Sequence, residues 1–221
     1  MSEVEESPAS AEPAAPAVRP RPGVAAFDFD GTLARHDTLI PFLRHACGER
    51  RVALAVARGL LRTRDRDALK LVLLARLFAG WPEGRLRELG GTYATTLPAV
   101  FRPEVAERLA WHRGQGHAVV IVSASLGAYL RPLADALGLD GALAVEMVAD
   151  GDGILTGDVE GGANTRGPGK VARLRTWLDA RYGPDADVEL WAYGDSAGDR
   201  ELLAAADHPT WVGRAARRPP T

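Results

Sequence analysis

The sequence predicts an α/β fold: a parallel sheet covered by helices on both faces, with an all-helical segment inserted after the first strand. Three observations predict it. Short apolar runs recur at 24–29, 118–123 and 188–193, and each runs into a polar residue and a turn signal. The stretches between them carry helical periodicity, and strands alternating with helices of this length argue for a parallel sheet. The long exception, 38–100, holds no convincing strand and reads as helices throughout.

Residues 1–22 are rich in Pro and Ala, carry Glu3, Glu5, Glu6 and Glu12, and lack a large apolar run. That composition cannot bury a core, so a disordered tail is expected, and an acidic start is not that of a secretory signal. VAAFDF (24–29) is the first buried strand. Amphipathic helices are expected at about 38–47, 50–63, 66–79 and 83–97, which together make a cap over 38–100. Val105, Ala106, Leu109 and Ala110 mark a helix that should stop near Gly114 and Gly116. AVVIVS (118–123) is the second strand, and Leu130, Leu133 and Leu137 mark the helix after it. ALAVEMVADGDGILTGDVEGG (142–162) has two β-like runs around a DGDG turn and reads as a small hairpin or paired strands. Val171, Leu174, Trp177 and Leu178 mark a further helix, VELWAY (188–193) the third strand and TWV (210–212) a short fourth. The core is thus expected over 23–37 and 101–214, followed by a basic tail at 215–221.

Composition bounds the function. Of 221 residues, 46% are apolar and 25% charged, as in an ordinary globular protein. A net charge of −2 gives no electrostatic case for nucleic acid or a membrane surface. Cys47 stands alone, so no intrachain disulfide can form, and a reducing cytoplasmic setting is expected. The most apolar region, 52–80, is interrupted by Arg58, Arg62, Arg64, Arg66, Lys70 and Arg76, which excludes a membrane span.

In an open parallel sheet, ligands bind beyond the carboxyl ends of the strands. There the first strand delivers Asp28 and Asp30, the second Ser123, and the third Asp195 with Asp199 following; Lys170 opens a helix near the same edge. Carboxylates suit Mg²⁺, which takes hard oxygen ligands. Gly31 permits a sharp turn that faces amide N–H groups toward phosphate oxygens. An Asp carboxylate can act as a nucleophile, and a second Asp two residues on can serve as acid and base. A lysine in a first helical turn opposes the helix dipole, which favours an anionic partner. Taken singly, Ser123 fits a cap on the next helix as well as it fits a phosphate donor, and Asp37 reads first as a plain N-cap before the 38–47 helix. The five histidines are scattered without metal spacing, and the cap arginines read mostly as a solvated face.

DFDGTL (28–33), VIVSAS (120–125), Lys170 in RGPGKVARL (166–174) and GDSAGD (194–199) resemble, in order and spacing, the four motifs of the haloacid dehalogenase superfamily. A helical cap after the first motif resembles the branch that includes phosphoserine phosphatase. The resemblance implies a Rossmann-like, HAD-like core with an inserted α-helical cap, and a Mg²⁺-dependent hydrolase of a small phosphorylated metabolite. It implies that Asp28 is the nucleophile, and that Asp30 is the general acid/base and lends a main-chain carbonyl to the metal. Gly31, Thr32, Ser123 and Lys170 would bind the phosphoryl group, and Asp28, Asp30, Asp195 and Asp199 form the metal set. Asp37 falls near an acidic residue that phosphoserine phosphatases present to substrate. Two departures weaken phosphoserine itself: Gly198 stands where an Asn is frequent, and the stretch 71–75 lacks the arginine that grips a carboxylate. A phosphotransferase shares every motif, a non-catalytic phospho-ligand-binding module remains the alternative outside enzymes, and a dehalogenase would have no use for Asp30. The oligomeric state is not legible.

Overall fold

The computed structural model describes residues 21–162 and 166–213. Its first strand, β1 (Gly23–Phe27), alternates with period two: Ala25 and Phe27 enter one apolar layer, Val24 and Ala26 the other. All four are fully buried, as the central strand of a sheet covered on both sides must be. Four helices follow: α1 (Leu39–Cys47), α2 (Glu49–Leu60), α3 (Arg66–Phe78) and α4 (Glu83–Ala94). Gly48 at φ +83° breaks α1 from α2, and the Asp65 carboxylate caps α3 by accepting the Ala68 N–H at 2.7 Å.

The chain then runs through α5 (Pro103–Gly114), β2 (Ala118–Leu126), α6 (Gly127–Ala136), β3 (Gly141–Val145), β4 (Met147–Ala149) and β5 (Leu155–Val159). It ends with α7 (Pro168–Tyr182), β6 (Glu189–Gly194), α8 (Arg200–Ala204) and β7 (His208–Trp211). The main sheet has the order β3-β2-β1-β6-β7, with every neighbouring pair parallel. The order reverses between β1 and β6, which opens a crevice at their carboxyl ends.

One apolar layer joins this sheet to α5, α6 and the inserted helices; the other joins it to α7 and α8. The inserted helices are anchored on α6. Gly90 of α4 lies so close that a Cβ there would meet the Ala128 carbonyl oxygen at 2.0 Å. Phe42, Tyr93 and Tyr129 add a ring cluster with centroids 5.0–5.4 Å apart.

The structure departs from the sequence reading at 142–162. Only β4 and β5 form the antiparallel pair, whereas Gly141–Val145 joins the main sheet as an edge strand parallel to β2. The break falls at Glu146, whose carboxylate accepts from Arg131 at 2.7 Å and fills the space a side chain on Gly127 would need. Strand β2 also runs past 123 to Leu126, with irregular register after Val122, where the Ser125 N–H turns to the Ser123 hydroxyl at 3.0 Å. Arg21, inside the expected tail, pairs with Asp187 at 2.7 Å and Asp207 at 3.2 Å. The rest of the expected acidic tail, the basic tail at 215–221 and residues 163–165 lie outside the described residues. Among the described residues, no helix is long and apolar enough to cross a membrane.

Candidate active site

Asp28 extends the pairing of β1 with β6 by one bond, its N–H donating to the Tyr193 carbonyl at 2.9 Å. The chain then turns back on itself, with the Ala34 N–H reaching the Phe29 carbonyl at 2.9 Å. Gly31 makes that turn at φ +87°, and a Cβ there would stand 2.4 Å from Asp195 Oδ2. A side chain is therefore excluded twice, by conformation and by space. Arg102 Nε donates to the Gly31 carbonyl at 3.0 Å and fixes the far side of the loop.

Thr32 of the same loop and two further segments converge on Asp28. Its Oδ2 accepts from the Thr32 hydroxyl at 2.8 Å, and its Oδ1 from Lys170 Nζ at 2.5 Å. Lys170 sits in the first turn of α7 and also donates to Asp199 Oδ1 at 2.6 Å, so two carboxylates answer the unfavourable helix dipole. Asp199 is held in turn: its Oδ2 accepts the Ser196 N–H at 3.0 Å and hydroxyl at 2.8 Å. One oxygen each from Asp28, Asp195 and Asp199 lies within 4.8 Å of the others, and all three residues are buried.

The second acid, Asp30, is directed elsewhere. Its Oδ1 accepts from the Thr38 N–H at 2.8 Å and hydroxyl at 2.6 Å, and its Oδ2 accepts from the Ser125 hydroxyl. The Thr38 hydroxyl also contacts the Tyr129 hydroxyl at 3.2 Å, and Tyr93 donates to the Thr38 carbonyl at 3.0 Å. Asp30 is thus tied through Thr38 to the inserted helices and through Ser125 to the sheet.

Electrostatics follow from this packing. Burial pushes the Asp28 carboxyl above the ordinary range, Lys170 pulls it back, and Asp199 adds to the upward push. Burial also raises Asp30, with Asp37 adding and the Ser125 and Thr38 donors opposing. For Lys170, burial favours the neutral amine, but Asp28 and Asp199 outweigh it and the net shift is upward. Burial brings Lys70 down to about 8 against the pull of Asp30, Asp37 and Asp67. Asp28 and Asp199 thus share the buried Lys170 ammonium, with the Asp195 carboxylate beside them, and buried charge is costly unless it is paired or bound to a metal. A divalent cation with oxygen ligands fits that donor set.

A cavity of about 700 Å³ opens over these groups, bounded by Asp28, Asp30, Ser123, Lys170, Asp195 and Asp199. Arg35, Arg66, Lys70 and Arg166 also face it. Every site residue expected from the sequence reaches this region, but Asp37 and Ser123 differ in kind from the rest. Asp37 is exposed on the cavity wall and its carboxylate accepts the Ile40 N–H of the first turn of α1 at 3.1 Å, although the N-cap position expected for it falls to Thr38. Ser123 spends its oxygen on the Ser125 N–H.

Sequence reasoning missed Thr38, Ser125 and Arg166. Arg166 lies across Gly198, where a Cβ would fall 2.5 Å from its Nε, and it reaches Asp67 of α3 at 3.6 Å. The glycine in place of a bulkier residue was the available signal. A second hollow of about 380 Å³, between α4 and α6 around Arg131 and Glu146, lies apart from the acidic cluster.

The model of the haloacid dehalogenase-like hydrolases matches residues 25–204. The chain is 32% identical over 193 residues to Protein CicA of Caulobacter vibrioides, covering 84% of each chain. It is 33% identical over 206 residues to the probable phosphatase Rv3661 of Mycobacterium tuberculosis, covering 87% of this chain and 70% of that one. A structure described as a phospho-aspartyl intermediate analogue of phosphoserine phosphatase superposes with a TM-score of 0.55 at 22% identity, covering 84% of both chains.

Proposed function

The chain belongs to the haloacid dehalogenase-like hydrolase family, and from that premise we propose that it is a Mg²⁺-dependent phosphomonoesterase working through an aspartyl-phosphate on Asp28. One observation carries the reading: the Asp28 carboxylate is held between the Thr32 hydroxyl and the Lys170 ammonium at the floor of the cavity. A relative at 33% identity being a probable phosphatase supports the same reading.

In this reading an Asp28 oxygen attacks phosphorus and the bond to the leaving oxygen breaks. Asp30 gives that oxygen its proton. Asp30 then takes a proton from water as the water oxygen attacks phosphorus, which frees phosphate and the Asp28 carboxylate. The upward shift of Asp30 suits a group that must hold a proton for the first step. Lys170, Ser123 and the loop through Gly31 and Thr32 bind the phosphoryl oxygens, where charge stabilisation counts most. Mg²⁺ would be held by Asp28, Asp195, Asp199 and the Asp30 carbonyl, and it supplies charge neutralisation of the phosphoryl group when bound.

Residues 38–100 serve as a cap over a core at 23–37 and 101–214, and Asp37 and the cavity-facing cations of the cap meet the remainder of the substrate. A small phosphorylated metabolite fits the cavity, and the cytoplasm is the expected setting. The test is hydrolysis of p-nitrophenyl phosphate with Mg²⁺ and with EDTA, in wild type and Asp28→Asn. Activity should need the metal and fall by a factor of about 10⁴ in the variant; full activity of Asp28→Asn discards the mechanism.

A further inference from the structure

The exposed large apolar side chains of the described residues are Leu54, Leu60, Leu61 and Trp111. Three of the four belong to α2 and the residue after it, at 50%, 51% and 88% exposure. Helix α2 buries Val52, Ala55 and Gly59. At 100° per residue the opposite side carries Arg50, Leu54, Ala57 and Leu61, with Leu60 and Arg58 on its two flanks. The connector to α3 adds Arg62 and Arg64, and α3 opens with Arg66. Among the described residues, no ion pair engages Arg50, Arg58, Arg62, Arg64 or Arg66. Arg51 is different, since it packs over Trp81 and donates to the Leu77 carbonyl. The chain's net charge of −2 conceals this local concentration of positive charge.

We propose that the outward face of α2 and its connector to α3 is a docking surface for an anionic lipid bilayer. Single exposed leucines are ordinary, but three along one helix and its end, amid arginines outside any ion pair, form a surface of a particular kind. Guanidinium groups are weakly hydrated and donate in pairs to phosphate oxygens, so phospholipid headgroups are partners of the right chemistry. The leucines enter the acyl boundary below, as in helices that lie in the plane of an interface. Arg66 belongs both to this face and to the cavity wall, so docking brings the cavity mouth beside the bilayer. The proposal does not depend on the hydrolytic reading.

The test is sedimentation of the full chain with vesicles. Retention is expected on mixed phosphatidylcholine and phosphatidylglycerol vesicles, not on phosphatidylcholine alone, and should fall as salt is added. Leu60→Ser combined with Leu61→Ser, and separately Arg58→Gln combined with Arg62→Gln, should each lower retention roughly tenfold with an unchanged thermal midpoint. Wild-type protein that stays in the supernatant with the anionic vesicles overturns the proposal, and so does retention that both double variants preserve. A dimer in analytical ultracentrifugation that the leucine variant dissolves, in a chain that binds no vesicle, also overturns it, because the occupant is then a second copy.

Discussion

Two buried polar clusters flank strand β6, and they solve the problem of burial in opposite ways. Beyond its carboxyl end, Asp28 and Asp199 pair with Lys170, and Asp195 lies beside them. On the α5 side, His112 is fully buried, with Nε2 bonded to the Tyr193 hydroxyl at 2.9 Å and Nδ1 sharing a hydrogen bond with His117 Nδ1 at 2.8 Å. His117 stacks on Trp191 with centroids 4.5 Å apart, and Trp191 stacks on His208 at 4.6 Å. Burial holds His112 in its neutral form, and both its ring nitrogens are bonded within the protein, so it needs nothing from outside. The acidic cluster sets three buried carboxylates beside one buried ammonium. A polar cluster that satisfies itself is scaffold, and one that leaves formal charge over is a site.

Removing Lys170 tests that contrast most severely. Lys170→Met strips the ammonium from between Asp28 and Asp199 and leaves both carboxylates buried. Activity on p-nitrophenyl phosphate should fall by about 10²–10³. Urea unfolding in EDTA should show a loss of about 3–5 kcal/mol, the usual result of orphaning a buried charge. A second change, Asp199→Asn, should recover part of that stability without recovering activity. Unaltered stability in Lys170→Met would mean that the acidic cluster balances itself, and the contrast would fail.

Metal addition is the next lever, and it should act on one cluster only. With Mg²⁺ at about a hundred times its Kd, wild type should gain about 2.7 kcal/mol of stability, read as a higher thermal midpoint. Asp195→Asn removes one of the three converging carboxylates and should lose that gain. If Mg²⁺ shifts Asp195→Asn as far as wild type, the ion binds elsewhere.

These contrasts also explain what the sequence could and could not reveal. Asp28, Asp30, Asp195 and Lys170 were legible because the chemistry demands particular residue types at strand ends and at a helix start, and a linear string preserves both. Ser125 was not, because a hydroxyl that orients Asp30 across 95 residues of chain has no local pattern, and Thr38 meets Asp30 only because the loop between them folds back. Arg166 was hidden for a similar reason, since its place over Gly198 depends on how the loop before α7 folds back. Strands β1, β2 and β6 announced themselves as unbroken apolar runs. Strand β3 did not, because ALAVEMVA reads as a single arm and only the pairing of Glu146 with Arg131 divides it. The arginines of α2 were visible one by one, but their alignment beside exposed leucines needed the buried face of that helix to be known.

The smallest effect belongs to the self-sufficient cluster and is read through pH. Burial, followed by the charges of His117, Arg108 and His208, pushes His112 down from its ordinary 6.5 to about 4. Between those values the unfolded chain binds a proton at this position that the folded chain refuses. Stability from His112 is therefore fully present above pH 6.5 and is lost as pH falls toward 4. His112→Phe keeps a ring in place but cannot titrate, so it should be less stable than wild type at neutral pH while its thermal midpoint falls less steeply across that window. Turnover per folded molecule should stay close to wild type, because His112 meets Tyr193 and His117 rather than the cavity. An equally steep fall in the variant would show that another group carries the proton, and a large loss of turnover would show that the two clusters flanking β6 are coupled.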